Sequence, residues 1–454
     1  MLVVLLFLLI LIIVSWFRPK WAFYLLLVLI PFHAFFLTGL AAYLHLTPVQ
    51  DDLLAGWKEI ILTVLVVKII WHSAKSKKFP FKIIVVDKLI FVLFILALIT
   101  IPFLTKNFST AIWGLRYDFE MFLIYFISRS FVWQKIEIKK AVAIVATCGL
   151  VVAILAILQA TALPKDFLTH FGYSANPNWQ AGQPLPAFQQ IGGTNITRVQ
   201  STLAGPNQLG SYLLILLPLA LTFLWYFKNP KAKLTMAIYL AIFSGALFFT
   251  YSRSAWLGAA AILVAFFIII LNKKQLSYFV ATLAILSIAG WLIFKNLLTD
   301  KFINIFLEHQ GSTPERISRL GQSLQILFKH PFGIGIGKAG LASLKNSATS
   351  VTLTEDWYLQ VGIELGLAGL LIYLVIIWQF FKNLWLKFKK PFTRFKNSAK
   401  QNSDQVLSLA LFLALVGLSV HSLFLHTWSD ITTVLTFWLL VGIAVSEQLA
   451  INNS

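Results

Sequence analysis

Apolar runs of roughly 15 to 23 residues recur along the whole chain, about what a helix needs to cross a hydrocarbon core some 30 Å thick. Examples are 89–104, 141–163, 209–227, 277–294 and 367–381. In lipid the backbone must satisfy its own N–H and C=O groups, so only helices and closed barrels can span. Barrel strands are shorter and alternate in polarity, and these runs do neither. The expected fold is an all-α polytopic integral membrane protein of about 12–13 transmembrane helices, a single membrane-embedded domain over 1–454. Composition agrees, with 59% of the 454 residues hydrophobic and 12% charged; a soluble domain carries about one quarter charged residues.

The formal charge of +20 is strongly positive. It gathers in short loops, at 18–20, 75–82, 129–140, 228–233, 273–274 and 382–400. Alternate loops are basic, which is the positive-inside pattern of a membrane protein rather than a nucleic-acid surface, so no nucleic-acid partner is expected. The 382–400 loop is suited to touch anionic membrane lipids. Read against these loops, the spans are 2–17, 21–38, 53–71, 84–105, 109–128, 141–163, 207–227, 234–251, 254–271, 276–294, 357–381, 406–425 and 431–447. The run 2–17 lacks a leading basic region and a small-residue cleavage site, so it is read as a first span. Cys148 is the single cysteine and lies mid-span, which excludes an intrachain disulfide.

This topology leaves two long outer loops, 164–206 and 295–356. The first is rich in Pro, Gly, Asn and Gln, and its amides suit sugar hydroxyls or a plain irregular loop equally. The second holds a helix-compatible stretch, 315–328, and a Gly-rich turn at 333–337. Long loops in compact proteins are usually functional or disordered, and the apolar periodicity argues for order.

Arg116, Arg198, Arg253 and Arg316 fall at or near this outer face, away from the other positive charge. A charge beside lipid is expensive, and a guanidinium fork suits phosphate. An outward-facing site for an anionic, phosphate-bearing, lipid-borne substrate follows. Each residue also has a bland reading. Arg253, in the turn 251–254, could simply cap a hairpin. Arg316 could belong to an amphipathic surface helix with Ile317, Leu320 and Leu324 toward lipid. Arg116 could form a structural pair with Glu120, one turn away. Arg198 could be a solvated loop charge, and Asn207 a helix cap. Glu355 and Asp356 precede a span; they either stabilise its N-terminus or take a proton from an attacking hydroxyl. No His, Cys, Asp and Glu set has metal-ligand spacing, and no nucleotide-binding motif is present, so no metal or cofactor is expected.

The order of these pieces resembles the O-antigen ligase and O-antigen polymerase family of bacterial envelope glycan enzymes. Arg316 and Leu320 match an Arg-x-x-x-Leu pattern. Gly366 and Gly369 match the Gly-x-x-Gly that follows a His-[Asn/Ser/Gln]-x9 stretch, with Glu355 at the histidine position and Asp356 after it. Ser252-Arg253, Pro206-Asn207 and the His-Pro-x-Gly-x-Gly stretch from His330 to Gly335 also resemble the family. The resemblance implies a glycosyltransferase of the bacterial plasma membrane that needs no metal and inverts the anomeric centre. Its donor would be an undecaprenyl-pyrophosphate-linked glycan and its acceptor a glycan, lipid or protein. Arg253 and Arg316 would bind pyrophosphate with Arg198 and Arg116 assisting; Glu355, then Asp356, would serve as base. The variation at the histidine position fits a polymerase better than a ligase onto lipid A core. The rival reading is a membrane transporter of a small anion such as bicarbonate, which inverted repeats and broken mid-membrane helices would favour; a third is a structural membrane component with a degenerate site.

Overall fold

The computed structural model describes residues 2–177, 183–191, 196–278, 312–345, 354–389 and 403–446, with 281, 282, 285 and 289 besides. The described chain is almost wholly helical; its sheet is one two-stranded ribbon in which Gln189–Gln190 pairs antiparallel with Thr197–Arg198. Local chemistry sets many helix starts. Pro19, Pro48, Pro206 and Pro230 each stand at a first helical position, where a missing N–H is harmless. Asn107 accepts from the Thr110 N–H at 3.1 Å and opens Phe108–Arg129. Asn229 does the same for Pro230–Phe249, accepting from the Lys231 N–H at 2.9 Å.

Among the described residues, 8 helices are long and apolar enough to cross a membrane: Pro19–Leu44, Val85–Thr105, Lys135–Thr161, Pro206–Tyr226, Pro230–Phe249, Arg253–Ile270, Trp357–Lys389 and Asp404–His421. Val4–Phe17 and Ile431–Ser446 are shorter apolar helices. Trp57–Ser76 and Phe108–Arg129 have the length, but carry Lys58, Glu59 and Lys68, and Arg116, Asp118 and Glu120. Twelve of the thirteen spans read from hydropathy thus divide into long, mostly apolar helices and shorter or more charged ones packed among them. Most of the span read at 276–294 lies outside the described residues.

The interior is built around Ile431–Ser446 and Pro206–Tyr226. The former packs on Phe108–Arg129 and the latter on Ser403–His421. Trp438 meets Phe380 edge-on at 4.6 Å, and Tyr125 meets the same ring at 5.0 Å. These are the large aromatic pairings expected of a tight core.

Contacts join the basic loops to one another. Arg129 Nη1 lies 2.5 and 2.7 Å from the Asp87 carboxylate, its Nη2 donates to the Lys82 carbonyl at 2.7 Å, and its guanidinium covers Phe81 at 4.7 Å. Lys20 pairs with Glu137 at 2.7 Å. The remaining loops also join one another: Arg198 reaches the 250–252 turn, and the Trp357 N–H donates to the Ser422 carbonyl at 3.1 Å.

One helix is broken inside its span. Within Trp357–Lys389, Gly366 stands at φ 75°, ψ 179°. The Gly-rich turn docks against this break. Ile334 N–H donates to the Ile363 carbonyl at 2.8 Å, Gly335 N–H to the Glu364 carbonyl at 3.1 Å, and Leu367 N–H to the Pro331 carbonyl at 2.9 Å. A kink frees helical carbonyls, which in lipid need new partners, and here the turn supplies them. A Cβ on Gly366 would lie 2.6 Å from the Pro331 oxygen, so glycine is needed for space as well as for its positive φ.

Candidate active site

The helix Ser312–Lys329 packs beside Trp357–Lys389. Leu327 touches Leu359 and Ile363 in a small core, whereas Ile317, Leu320 and Leu324 face outward. That packing presents Arg316 and Arg319 to the start of the long helix. Arg316 Nε lies 2.8 Å from Glu355 Oε2, in an ion pair set off the N–H direction, so this oxygen accepts no well-directed hydrogen bond. Arg319 Nη1 donates to Glu355 Oε1 at 3.3 Å. Asp356 Oδ1 accepts from the N–H groups of Tyr358 and Leu359 at 2.7 and 3.0 Å. Asp356 is therefore the helix cap that its position allowed. Burial pushes its carboxyl up to about 6, against the pull of those two N–H groups.

Arg198 reaches the same place from the ribbon. Its Nε donates to the Thr250 carbonyl at 3.0 Å and its Nη2 to Asn207 Oδ1 at 2.8 Å. Asn207 thus holds Arg198 instead of capping the helix, which Pro206 opens after Gly205. Arg198 ties down the turn between Pro230–Phe249 and Arg253–Ile270, and that turn carries Arg253. Burial lowers the Arg198 guanidinium to about 10, and the fields of Arg316 and Arg253 add to the effect. Arg253, Arg316, Arg319, Glu355 and Asp356 line one cavity of about 340 Å³, closed on one side by Leu423 and Phe424.

Arg116 lies elsewhere. It pairs with Glu59, and not with Glu120 one turn along its own helix. Its guanidinium covers Trp113 at 5.1 Å and Tyr117 at 5.7 Å. Lys58, also on Glu59 at 3.1 Å, is buried beside it. Arg116 lines a neighbouring cavity of about 370 Å³ with Glu120, His421, His426 and Asp430. Burial pushes the His426 imidazole down to about 4, opposed by a bond to the Thr354 backbone, so this ring is neutral near pH 7. It also pushes Asp430 up to about 6, opposed by Thr433, whose hydroxyl and N–H donate to it at 2.6 and 3.0 Å.

The structure therefore brings Arg253, Arg316, Glu355 and Asp356 to one cavity, places Arg198 within the fields of Arg253 and Arg316, and sets Arg116 apart. Sequence reasoning passed over the 421–430 segment, Lys58-Glu59 and Glu364. Glu364, fully buried mid-span, accepts from Gly337 and Ala339 N–H, both at 2.8 Å, and faces Asp118, which Gln360 also binds at 2.8 Å. An acid in the middle of an apolar run was the available signal for it.

The O-antigen ligase family model matches residues 238–374. That segment contains Arg253, Arg316, Glu355, Asp356 and the kink, and leaves out Arg116, Arg198 and the 421–430 wall. An O-antigen polymerase of Salmonella muenchen is 25% identical over 250 residues, covering 54% of this chain and 60% of that protein's length. Both are partial matches: over those stretches this chain is similar to O-antigen ligase and O-antigen polymerase proteins.

Proposed function

We propose that the protein is a glycosyltransferase of the bacterial plasma membrane that transfers or polymerises glycan from an undecaprenyl-pyrophosphate-linked donor at the outer face. The observation that carries this reading is the convergence of Arg253 and Arg316 on one cavity that also holds Glu355 and Asp356, with Arg198 near enough to feel the fields of both arginines. The charges of these three guanidinium groups oppose one another, and a pyrophosphate is an anion that guanidinium groups suit. The donor's tail needs lipid and its head needs water, so a cavity at the end opposite the basic loops suits both.

The acceptor hydroxyl oxygen forms a bond to the anomeric carbon while the bond from that carbon to the pyrophosphate oxygen breaks. Attack from the face opposite the leaving group inverts the centre. The electron pair goes to the pyrophosphate, whose growing charge Arg198, Arg253 and Arg316 stabilise without a metal. The hydroxyl proton goes to a carboxylate. Asp356 is better placed for this than Glu355, because two guanidinium groups already engage Glu355. Arg116, held by Glu59, serves the adjoining cavity.

The test is glycan transfer in proteoliposomes from an undecaprenyl-pyrophosphate oligosaccharide, comparing wild type with Arg316→Ala. Loss of transfer with the variant folded in the membrane supports the reading. Wild-type turnover in the variant would sink it.

A further inference from the structure

The segment 421–427 helps to wall two cavities: Leu423 and Phe424 face the arginines, while His421, Leu425 and His426 face the cavity of about 370 Å³ behind them. That second volume falls in the range of about 300–1,000 Å³ usual for small-molecule sites. Its formal charges balance, Lys58 and Arg116 against Glu120 and Asp430. The arginine cavity instead suits an anion.

The lining is poorly satisfied by the protein itself. Among the described residues, Arg116 Nε, Glu120 Oε1, His421 Nε2, His426 Nε2 and Ser429 Oγ are buried without a hydrogen-bond partner, and all five residues line this cavity. A buried polar atom left without a partner costs about 1–3 kcal/mol, and native proteins carry few of them. Their concentration at one cavity calls for a ligand with both donors and acceptors.

His421 makes the point most sharply. The residue is 2% exposed, and its Nδ1 lies 2.7 Å from Thr427 Oγ1. The bond to Thr427 occupies Nδ1 in either tautomer. Nε2 is left without a partner, as acceptor or donor according to the tautomer. Glu120 Oε1 is an acceptor, and Arg116 Nε is a donor. Tyr117, Leu341 and Leu425 add apolar surface. A neutral sugar ring fits this lining: its hydroxyls donate and accept, and its C–H face packs on apolar groups. A free anion would meet Glu120 and Asp430, and a metal cation would meet Lys58 and Arg116.

We propose that this cavity is a sugar subsite that takes one neutral pyranose ring, with His421 Nε2, Glu120 Oε1 and Arg116 Nε as hydrogen-bonding partners. The proposal rests on the transferase reading for the sugar's origin, either the donor's first ring or the acceptor's.

Diethyl pyrocarbonate labels a neutral imidazole nitrogen that a small molecule can reach. The full-length protein in detergent is labelled with and without glucose, galactose, mannose or N-acetylglucosamine, and His421 modification is followed by mass spectrometry. At least one sugar should slow His421 labelling roughly threefold or more near saturation. The isosteric Glu120→Gln should weaken that protection about tenfold, because one acceptor becomes a donor. Failure of His421 to label at all, protection by no sugar, or unchanged protection in Glu120→Gln would each overturn the subsite. Undecaprenyl-pyrophosphate-linked N-acetylglucosamine forms a further arm. Protection by it at concentrations where free sugar gives none marks the donor's ring, and protection by free sugar that it does not displace marks the acceptor's. Undecaprenyl pyrophosphate without sugar is titrated separately by tryptophan fluorescence. If it fails to bind while a sugar protects His421, the pyrophosphate reading fails and the subsite stands. If it binds and no sugar protects, the reading stands and the subsite falls.

Discussion

The Glu355 carboxylate lies 2.8 Å from Arg316 Nε and 3.3 Å from Arg319 Nη1, whereas its neighbour Asp356 caps a helix and makes no ion pair among the described residues. A carboxylate shared by two guanidinium groups is a weak proton acceptor, so the two acids should behave differently when neutralised. Asp356→Asn keeps an oxygen for the Tyr358 and Leu359 N–H groups but loses the base, and kcat should fall about 100-fold or more. Glu355→Gln should act mainly on the donor KM, with kcat lowered about tenfold or less. Single-turnover kinetics in proteoliposomes separates the two. A larger kcat loss in Glu355→Gln would return the base role to that residue.

If Asp356 is the base as proposed, its carboxyl, raised by burial to about 6, would set the acid limb of the rate. Transfer should rise as pH passes through about 6 and level off above it, and this limb should vanish from the residual activity of Asp356→Asn. The same group affects stability in the opposite direction. The folded state binds this proton more tightly than the unfolded chain, so its contribution is greatest below about pH 4 and declines as pH rises through about 6. Melting of wild type and variant across that window should converge at the acid end.

Arg253→Ala and Arg198→Ala should each lower transfer by about 100-fold or more, as loss of one transition-state donor does elsewhere. If guanidinium groups supply the charge, as proposed, a chelator should leave the wild-type rate unchanged. A chelator-sensitive rate restored by a divalent ion would contradict the metal-independent scheme.

Away from the site, Arg129→Met should destabilise the protein by about 3–5 kcal/mol, since it strands the Asp87 carboxylate in a buried position. Thermal unfolding in detergent reads this. Transfer per folded molecule should be unchanged.

Glycine substitutions give an internal control. Gly366→Ala places a Cβ 2.6 Å from Phe332 and Pro331 backbone atoms at a positive φ, and should cost both folded yield and activity. Gly321→Ala meets nothing within 4 Å and should be neutral or stabilising by about 0.5–1 kcal/mol. Equal yields of the two variants would argue against the docked turn.

Much of the architecture was legible because it rests on local signals. Apolar length marked the helices, basic residues sorted the loops, and Gly366 stood out in a pattern that needs no partner to be seen. Arg253 and Glu355 were legible in the same way, as charges at span ends, and Arg316 as a charge on the helix-compatible stretch of the second loop. What the sequence hid are pairings between distant segments. Arg116 had Glu120 one turn away as an obvious partner, but the helix rotation turns it to Glu59, 57 positions back. His421 and Asp430 read as ordinary ends of two spans, and only packing against Phe108–Arg129 and Pro206–Tyr226 gives them a shared cavity. Asn207 looked like a cap because nothing in the sequence brings Arg198 to it.

The docked Gly-rich turn also bears on how the protein is made. Residues 331–335 leave the ribosome before the helix they complete, ahead of the Ile363 and Glu364 carbonyls that they cover. Until the two meet, the broken helix carries uncovered polar backbone that the bilayer disfavours. Chains with a damaged turn should therefore stall at insertion and be degraded, so that lost activity in such mutants would report failed assembly before failed chemistry.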